Sequence, residues 1–251
     1  MEFQKLNQFN NLEMGYISRI SGGYISKNRH IFEKIKLNPL NKFILEKCIY
    51  GTPIFKLGNR GNRILVSSGV HGNELSSQIA NLNLLNEFVE KELSHTVYFI
   101  PFVAPKASML NERTFNERDL NRSAHIKNSL SSLIIQVIDD LKINFVGDFH
   151  TTAYNSNPGC EVIFSSKNPS PESFLIANYI SNDVGSEVIA YDVAGSIYKG
   201  AIEDVSNLKG IPAITGEVVS PFASVGKGSV ERSYAQMKSF LSYFGIWLLF
   251  Y

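Results

Sequence analysis

The spacing of hydrophobic and polar residues changes several times along the chain, and each change marks a predicted element. Arg63–Ser68 (RILVSS) is a short apolar run followed by a glycine, the pattern of a buried strand. From Glu74 to about Leu93, apolar residues fall at Leu75, Ile79, Leu82, Leu85 and Phe88, a spacing that predicts an amphipathic helix. Val97–Val103 is a second apolar run, closed by Pro105. Leu130–Leu141 predicts a helix and Ile143–Phe149 a further strand. Glu161–Ser165, Glu187–Tyr191 and Ala213–Val219 also have strand character, while Pro171–Val184 and Ser229 to about Tyr243 have helix character. Residues 1–60 predict irregular structure and short edge strands, punctuated at Ser21-Gly22-Gly23, Asn38-Pro39 and Gly51-Thr52-Pro53. Strands alternating with helices imply an α/β fold with helices on both faces of a sheet. In such sheets functional groups collect where strands end and loops begin.

Composition narrows the picture. At 251 residues, without an internal repeat, low-complexity tract or Pro/Gly-rich linker, residues 1–251 are expected to form one large domain. Hydrophobic residues make up 44% and charged residues 19%, enough apolar material for a core. Lys and Arg number 24 against 23 Asp and Glu, and no basic run stands out, so nucleic acid is not an expected partner. The two cysteines, Cys48 and Cys160, are too few for a disulfide framework and lack metal-finger spacing. Residues 1–10 lack the apolar core of a signal peptide. Phe240–Tyr251 is the most apolar stretch, but it is too short to span a bilayer and predicts a terminal element docked on the core. No membrane partner is expected, and the expected location is the cytoplasm.

Three predicted strands end in residues suited to metal chemistry. The first runs into Gly69-Val70-His71-Gly72-Asn73-Glu74, where His71 and Glu74 can converge at the mouth of a helix. Imidazole nitrogen and carboxylate oxygen are zinc donors, and two histidines with one glutamate form a known catalytic set with an open fourth position. The second ends in Gly147-Asp148-Phe149-His150-Thr151-Thr152, which can supply the second histidine. The third ends in Thr215-Gly216-Glu217-Val218-Val219, a lone carboxylate in an apolar strand, as a general base beside a metal would be. Taken singly, each has a structural alternative: a capping pair for His71 and Glu74, a satisfied core histidine for His150, an ion pair for Glu217. Their joint placement in a chain with five histidines favours a site. His30, His95 and His125 stand in polar contexts and are expected on the surface. Between the first two elements, residues 111–122 (NERTFNERDLNR) combine arginines, asparagines and acids. Such a loop can be a solvated charge run, or it can grip a carboxylate and stabilise an oxyanion through arginine.

The order Gly-Val-His-Gly-Asn-Glu, Asp-Leu-Asn-Arg, Asp-Phe-His-Thr-Thr and Gly-Glu-Val resembles the succinylglutamate desuccinylase/aspartoacylase family, a branch of the zinc carboxypeptidase-like superfamily, over roughly residues 60–240. The resemblance implies a mixed, largely parallel twisted sheet. It also implies one zinc ion per chain on His71, Glu74 and His150, with Glu217 as general base and then acid. Asn121 and Arg122 would hold a substrate carboxylate, and Arg113 would polarise the scissile carbonyl. The chain departs from the family pattern at three places. The family's arginine-aromatic pair stands four residues before Asp-Leu-Asn-Arg, whereas Arg113 is one residue farther away and precedes Thr114 and Phe115, so Arg118 competes for the role. Val219-Ser220-Pro221 stands where members often have glycine after Glu-Val. The end at Tyr251 leaves little room for the C-terminal β domain that narrows the pocket in aspartoacylases. Tyr198 and Lys199 fall where the family places pocket-lining residues.

The expected activity is therefore a zinc-dependent amidohydrolase, or deacylase, that cleaves an amide next to a carboxylate, with a small N-acyl amino acid or a short peptide as substrate. The alternatives are a metallocarboxypeptidase acting on peptides and a non-catalytic metal-binding homologue.

Overall fold

In the computed structural model, which describes residues 1–9 and 11–246, the apolar runs become neighbours in one mixed sheet. Among the described residues the strands are β1 (Gln4–Lys5), β2 (Leu12–Ser18), β3 (Thr52–Leu57), β4 (Arg63–Ser68), β5 (Thr96–Ile100), β6 (Phe145–Thr152), β7 (Val162–Asn168), β8 (Glu187–Val193) and β9 (Ala213–Val219). The sheet order is β1-β2-β3-β5-β4-β6-β9-β7-β8. The centre, β5-β4-β6-β9, is parallel. β1, β2 and β3 continue it in antiparallel sense at one edge, and at the other β7 runs antiparallel to β9 and parallel to β8.

The helices are α1 (Arg29–Phe32), α2 (Pro39–Ile49), α3 (Leu75–Phe88), α4 (Pro105–Leu110), α5 (Leu130–Asp140), α6 (Glu172–Val184), α7 (Ile202–Leu208) and α8 (Ser229–Tyr243). They form two layers. α2, α3, α6 and α8 cover one face, over a core that includes Val66, Phe99, Phe149, Ile214 and Phe240. α5 and α7 cover the other face, over Leu65, Val146, Ile134 and Ala213. Because successive strand residues point to opposite faces, His150 and Asp148 share the α7 side with Val146, and Glu217 and Thr215 share it with Ala213. The alternate residues Phe149 and Ile214 pack into the opposite core. Gly147 is required in that core: a Cβ there would lie 2.7 Å from the Phe149 ring and 2.9 Å from the Phe240 ring.

Some elements differ from the sequence pattern. Asn38-Pro39, read as turn punctuation, starts α2: the Asn38 carboxamide accepts from the Asn41 amide at 2.8 Å, and Pro39 occupies the first turn. α3 is buried on nearly every side rather than amphipathic, since α8, α1 and α2 cover the face it turns away from the sheet. Its polar side chains donate inward, Asn81 Nδ2 lying 3.2–3.3 Å from Val66 O, Ser68 Oγ and Ile100 O. His95 is half-buried rather than a surface residue: its Nδ1 accepts from the Asn62 amide and its Nε2 donates to Phe244 O. α8 ends at Tyr243 and Ile246 is buried, while the rest of the apolar terminal stretch, 247–251, lies outside the described residues. No helix among the described residues is long and apolar enough to cross a membrane.

Candidate metal centre and cleft

The ends of β4, β6 and β9 open on one cleft, since these strands are neighbours around the centre of the parallel sheet. The β4–α3 loop carries His71 and delivers Glu74 to the position just before α3, where its side chain makes no capping hydrogen bond. Gly72 allows this path: a Cβ there would lie 2.1 Å from the carbonyl carbon of Ala107. Glu74 is 2% exposed, and its two oxygens face two imidazoles, His71 Nδ1 at 2.6 Å and His150 Nδ1 at 2.8 Å. The Thr151 amide also donates to Glu74, at 3.1 Å.

Each imidazole is held from behind by a carboxylate. His71 Nε2 lies 2.9 Å from Asp119 Oδ1, and His150 Nε2 lies 2.8 Å from Asp148 Oδ2. Asp148 is anchored in turn by the Ser67 hydroxyl at 2.7 Å. Outer carboxylates of this kind fix ring orientation and raise the basicity of the inward nitrogen. Neither aspartate was singled out in the sequence, although both lie inside its motifs. Asp148 stands two residues before His150 on the same strand face, which is a usable signal.

Electrostatics follow from this packing. Burial alone would raise the Glu74 carboxyl, but the two imidazoles outweigh it and hold the group well below the usual carboxylate range. Burial likewise opposes the charge on His71 and His150, yet Glu74, Asp119 and Asp148 raise both, His150 the more strongly. The same exchange of charge holds Asp119 low despite partial burial.

The three residues fit a metal ion. One donor atom from each of His71, Glu74 and His150 lies within 4.8 Å of the others, and all three side chains are buried. Both Nδ1 atoms converge on one carboxylate, an arrangement in which an ion can replace the intervening protons. Two nitrogens and one oxygen suit zinc and related first-row ions.

Glu217, directly across from His150 in the β6–β9 register, lines the same cleft. Its Oε2 is buried without a hydrogen-bond partner. Burial, with the negative charge of Glu74, pushes its carboxyl up to about 8 against the opposing pull of both histidines and Arg113. Arg113 reaches the centre, with NH1 3.4 Å from Glu74 Oε1 and NH2 3.2 Å from Asp119 Oδ2. Arg118 does not: it is exposed, bridges back to Phe115 and borders a different hollow. Asn121 and Arg122 line the cleft. Asn121 keeps Oδ1 buried and unpartnered. Arg122 pairs with neither Asp119 nor Glu117. It stacks over the Tyr198 ring, 4.8 Å from the centroid, and donates to Asn121 O at 2.7 Å. Tyr198 lines the cleft, whereas Lys199 is exposed. The cleft volume is about 340 Å³, the size of a small-molecule site. Its wall also contains Glu203, a buried acid of α7 for which the sequence offered no motif.

Comparison with known proteins agrees with this architecture. Residues 60–182 match the model of the Succinylglutamate desuccinylase/Aspartoacylase catalytic domain, a span that contains His71, Glu74, the 111–122 loop and His150, while Glu217 lies beyond it. Among solved structures, an aspartoacylase family protein from Mesorhizobium loti aligns with TM-score 0.59 at 20% identity, covering 78% of this chain and 62% of that one. A succinylglutamate desuccinylase/aspartoacylase from Rhodobacter sphaeroides aligns with TM-score 0.60 at 18% identity, covering 78% and 61%. A metallo-carboxypeptidase from Burkholderia cenocepacia aligns with TM-score 0.57 at 11% identity, covering 77% and 61%. The chain thus spans somewhat less than two thirds of the length of these relatives, and at such identities the likeness concerns the fold. No curated protein matches the sequence. Over residues 60–182 the chain is therefore similar to the succinylglutamate desuccinylase/aspartoacylase catalytic domain, on a fold it shares with a metallo-carboxypeptidase.

Proposed function

We propose that the chain is a zinc-dependent amidohydrolase that cleaves an amide bond next to a carboxylate, with an N-acyl amino acid as substrate. The observation that supports this reading above the others is the convergence of His71, Glu74 and His150 beside Glu217, whose buried Oε2 has no partner in the protein. Zinc held by His71, Glu74 and His150 would supply a Lewis acid that acidifies water and polarises a carbonyl. In its ionised form, which a zinc cation beside it would favour, Glu217 receives the proton of the attacking water and delivers it to the leaving nitrogen. Arg113, already turned into the cleft, steadies the negative charge that develops on the carbonyl oxygen. Asn121 and Arg122 receive the substrate carboxylate, Arg122 through its planar fork. Asp148 and Asp119 keep the two imidazoles turned inward.

The test combines elemental analysis of the purified protein with a panel of N-acyl amino acids and short peptides. The expected result is one zinc per chain, turnover of N-acyl amino acids, and a loss of about 10²–10⁴-fold in kcat for Glu217→Gln with zinc retained. Undiminished turnover in Glu217→Gln would remove Glu217 from this role, and preferential cleavage of peptides would move the assignment to a carboxypeptidase.

A further inference from the structure

The cleft has a direction. At its α7 end Arg122 stacks on Tyr198 and acts on the buried Asp204, and Phe164 packs against the Tyr198 ring with centroids 5.4 Å apart. Phe164 also stands opposite Thr215 in the β7–β9 register, so β9 runs from this end past Glu217 and leaves the sheet at Val219. With the carbonyl at His71, Glu74 and His150, the carboxylate-bearing half of the substrate occupies the Arg122 end. A trans amide sets the acyl carbon and the amino-acid Cα on opposite sides of the C–N bond. The acyl group is therefore directed away from α7, towards the loop that follows β9.

That loop places Phe222 in the cleft wall and holds it there. The Ser220 amide donates to Thr152 O at 2.9 Å, and the Ala223 amide donates at 2.8 Å to Asn73 O, in the short segment between His71 and Glu74. Asn111 Nδ2 donates to Ala223 O at 3.0 Å, and Val225 packs against the core. Ala223 takes a φ of 62°, in the left-handed region that a residue with a Cβ rarely adopts. Strain of this kind persists only where the surroundings fix the backbone, and it is common at ligand clamps. Its effect here is to keep an aromatic ring at the cleft mouth, 39% exposed, although the core lies three residues farther on.

The charges on the wall point the same way. Among the described residues that line the cleft, the Lys and Arg side chains are Arg113 and Arg122. Arg113 is engaged by Asp119 and Glu74, and Arg122 stands at the α7 end. Neither is left for a carboxylate at the tail of an acyl chain, which would be desolvated without a partner. The Phe222 ring offers apolar area instead.

We propose that Phe222 selects the acyl group: the cleft takes an uncharged, apolar acyl chain longer than acetyl, its tail against the Phe222 ring, in preference to a succinyl-type chain ending in a carboxylate. This rests on the amidohydrolase reading above and names the acyl half of its substrate.

The test uses the zinc-loaded full chain and acetyl, butanoyl and succinyl groups on the amino acid that the panel above turns over fastest. Butanoyl has two more methylenes than acetyl and the same four carbons as succinyl. Its kcat/KM should exceed that of acetyl by about 4–15-fold, the scale of two partly buried methylenes, and that of succinyl by about 10-fold or more. Phe222→Ala should bring the butanoyl-to-acetyl ratio close to one with zinc content unchanged, and Phe222→Leu should keep most of it. A butanoyl-to-acetyl ratio at or below one, succinyl at or above butanoyl, or an unchanged ratio in Phe222→Ala would overturn the assignment. The acyl series on the unmodified protein decides the matter alone should the variants not fold. If zinc binds and the panel yields no N-acyl substrate, the amidohydrolase reading has failed, and calorimetric binding of N-acetyl-, N-butanoyl- and N-succinyl-alanine decides the subsite separately. Tightest binding of the butanoyl compound supports it, and any other order overturns it.

Discussion

At the histidine end of the cleft, both ring nitrogens of His71 and of His150 face a carboxylate, and both oxygens of Glu74 are engaged. At the α7 end, Glu203 uses one oxygen for two protein donors, and Asp204 is hydrogen-bonded against it. The residue type is the same and so is the burial, yet Glu74 is held low and Glu203 is pushed up. What differs is the sign of the neighbouring charge. Two imidazoles compensate the desolvation of Glu74, whereas Asp204 adds to that of Glu203. One end is therefore organised around its own ion pairs, and at the other two buried acids lie against each other, with Arg122 acting on Asp204 from the cleft.

The most damaging change to this contrast is Glu74→Ala, which removes the acceptor shared by both imidazoles. Zinc content should fall from one per chain to near zero and hydrolysis should disappear with it. Denaturant unfolding of the metal-free protein should show a loss of about 3–5 kcal/mol, since two buried cations lose their common partner. Retention of stoichiometric zinc would show that the ion binds elsewhere.

A smaller effect is expected one step behind the ligands. Asp148→Asn keeps the shape but weakens the hold on His150, and should reduce zinc affinity by about 10–100-fold. Competition with a chromophoric chelator measures this, and an unchanged dissociation constant would reduce Asp148 to a packing residue.

On the opposite wall, Arg122→Lys keeps the charge and loses the fork that stacks on Tyr198. Substrate capture should weaken by about 1.5–3 kcal/mol in kcat/KM for a substrate with a free carboxylate, and far less when that carboxylate is replaced by a neutral amide. Equal losses for both substrates would exclude a carboxylate clamp.

A last effect, read on stability rather than on turnover or metal, concerns pH and the metal-free protein. Glu203 holds its proton up to about 8 in the folded chain, against a usual value of 4.5. Between those values the unfolded chain has lost that proton while the folded chain keeps it, so this group makes stability fall as pH rises through the window. Below 4.5 and above about 8 its contribution to the slope vanishes. Glu203→Gln should flatten the decline in Tm between pH 5 and 8, and an undiminished slope in the variant would mean that Glu203 does not titrate in this way.

Several parts of this structure were legible in the linear chain because their cause is local. The apolar runs that became β4, β6 and β9, the helical spacing of α5, α6 and α8, and the donor types at the strand ends all follow from side-chain alternation over a few residues. The convergence of His71, Glu74 and His150 could be anticipated only because two adjacent strand ends, those of β4 and β6, deliver their residues to one place. α7 lacked a readable period because its buried side includes Glu203, Asp204, Ser206 and Asn207, polar residues that hydrophobic patterning assigns to solvent. α3 had a readable period, but neighbouring helices buried its other side as well. The placing of Arg113 rather than Arg118 beside Glu74, the stacking of Arg122 on Tyr198, and the opposite displacements of Glu74 and Glu203 were decided by tertiary structure alone. Each depends on which distant charge or ring lies within a few ångströms in a medium with little water to screen it, and spacing along the chain does not encode that.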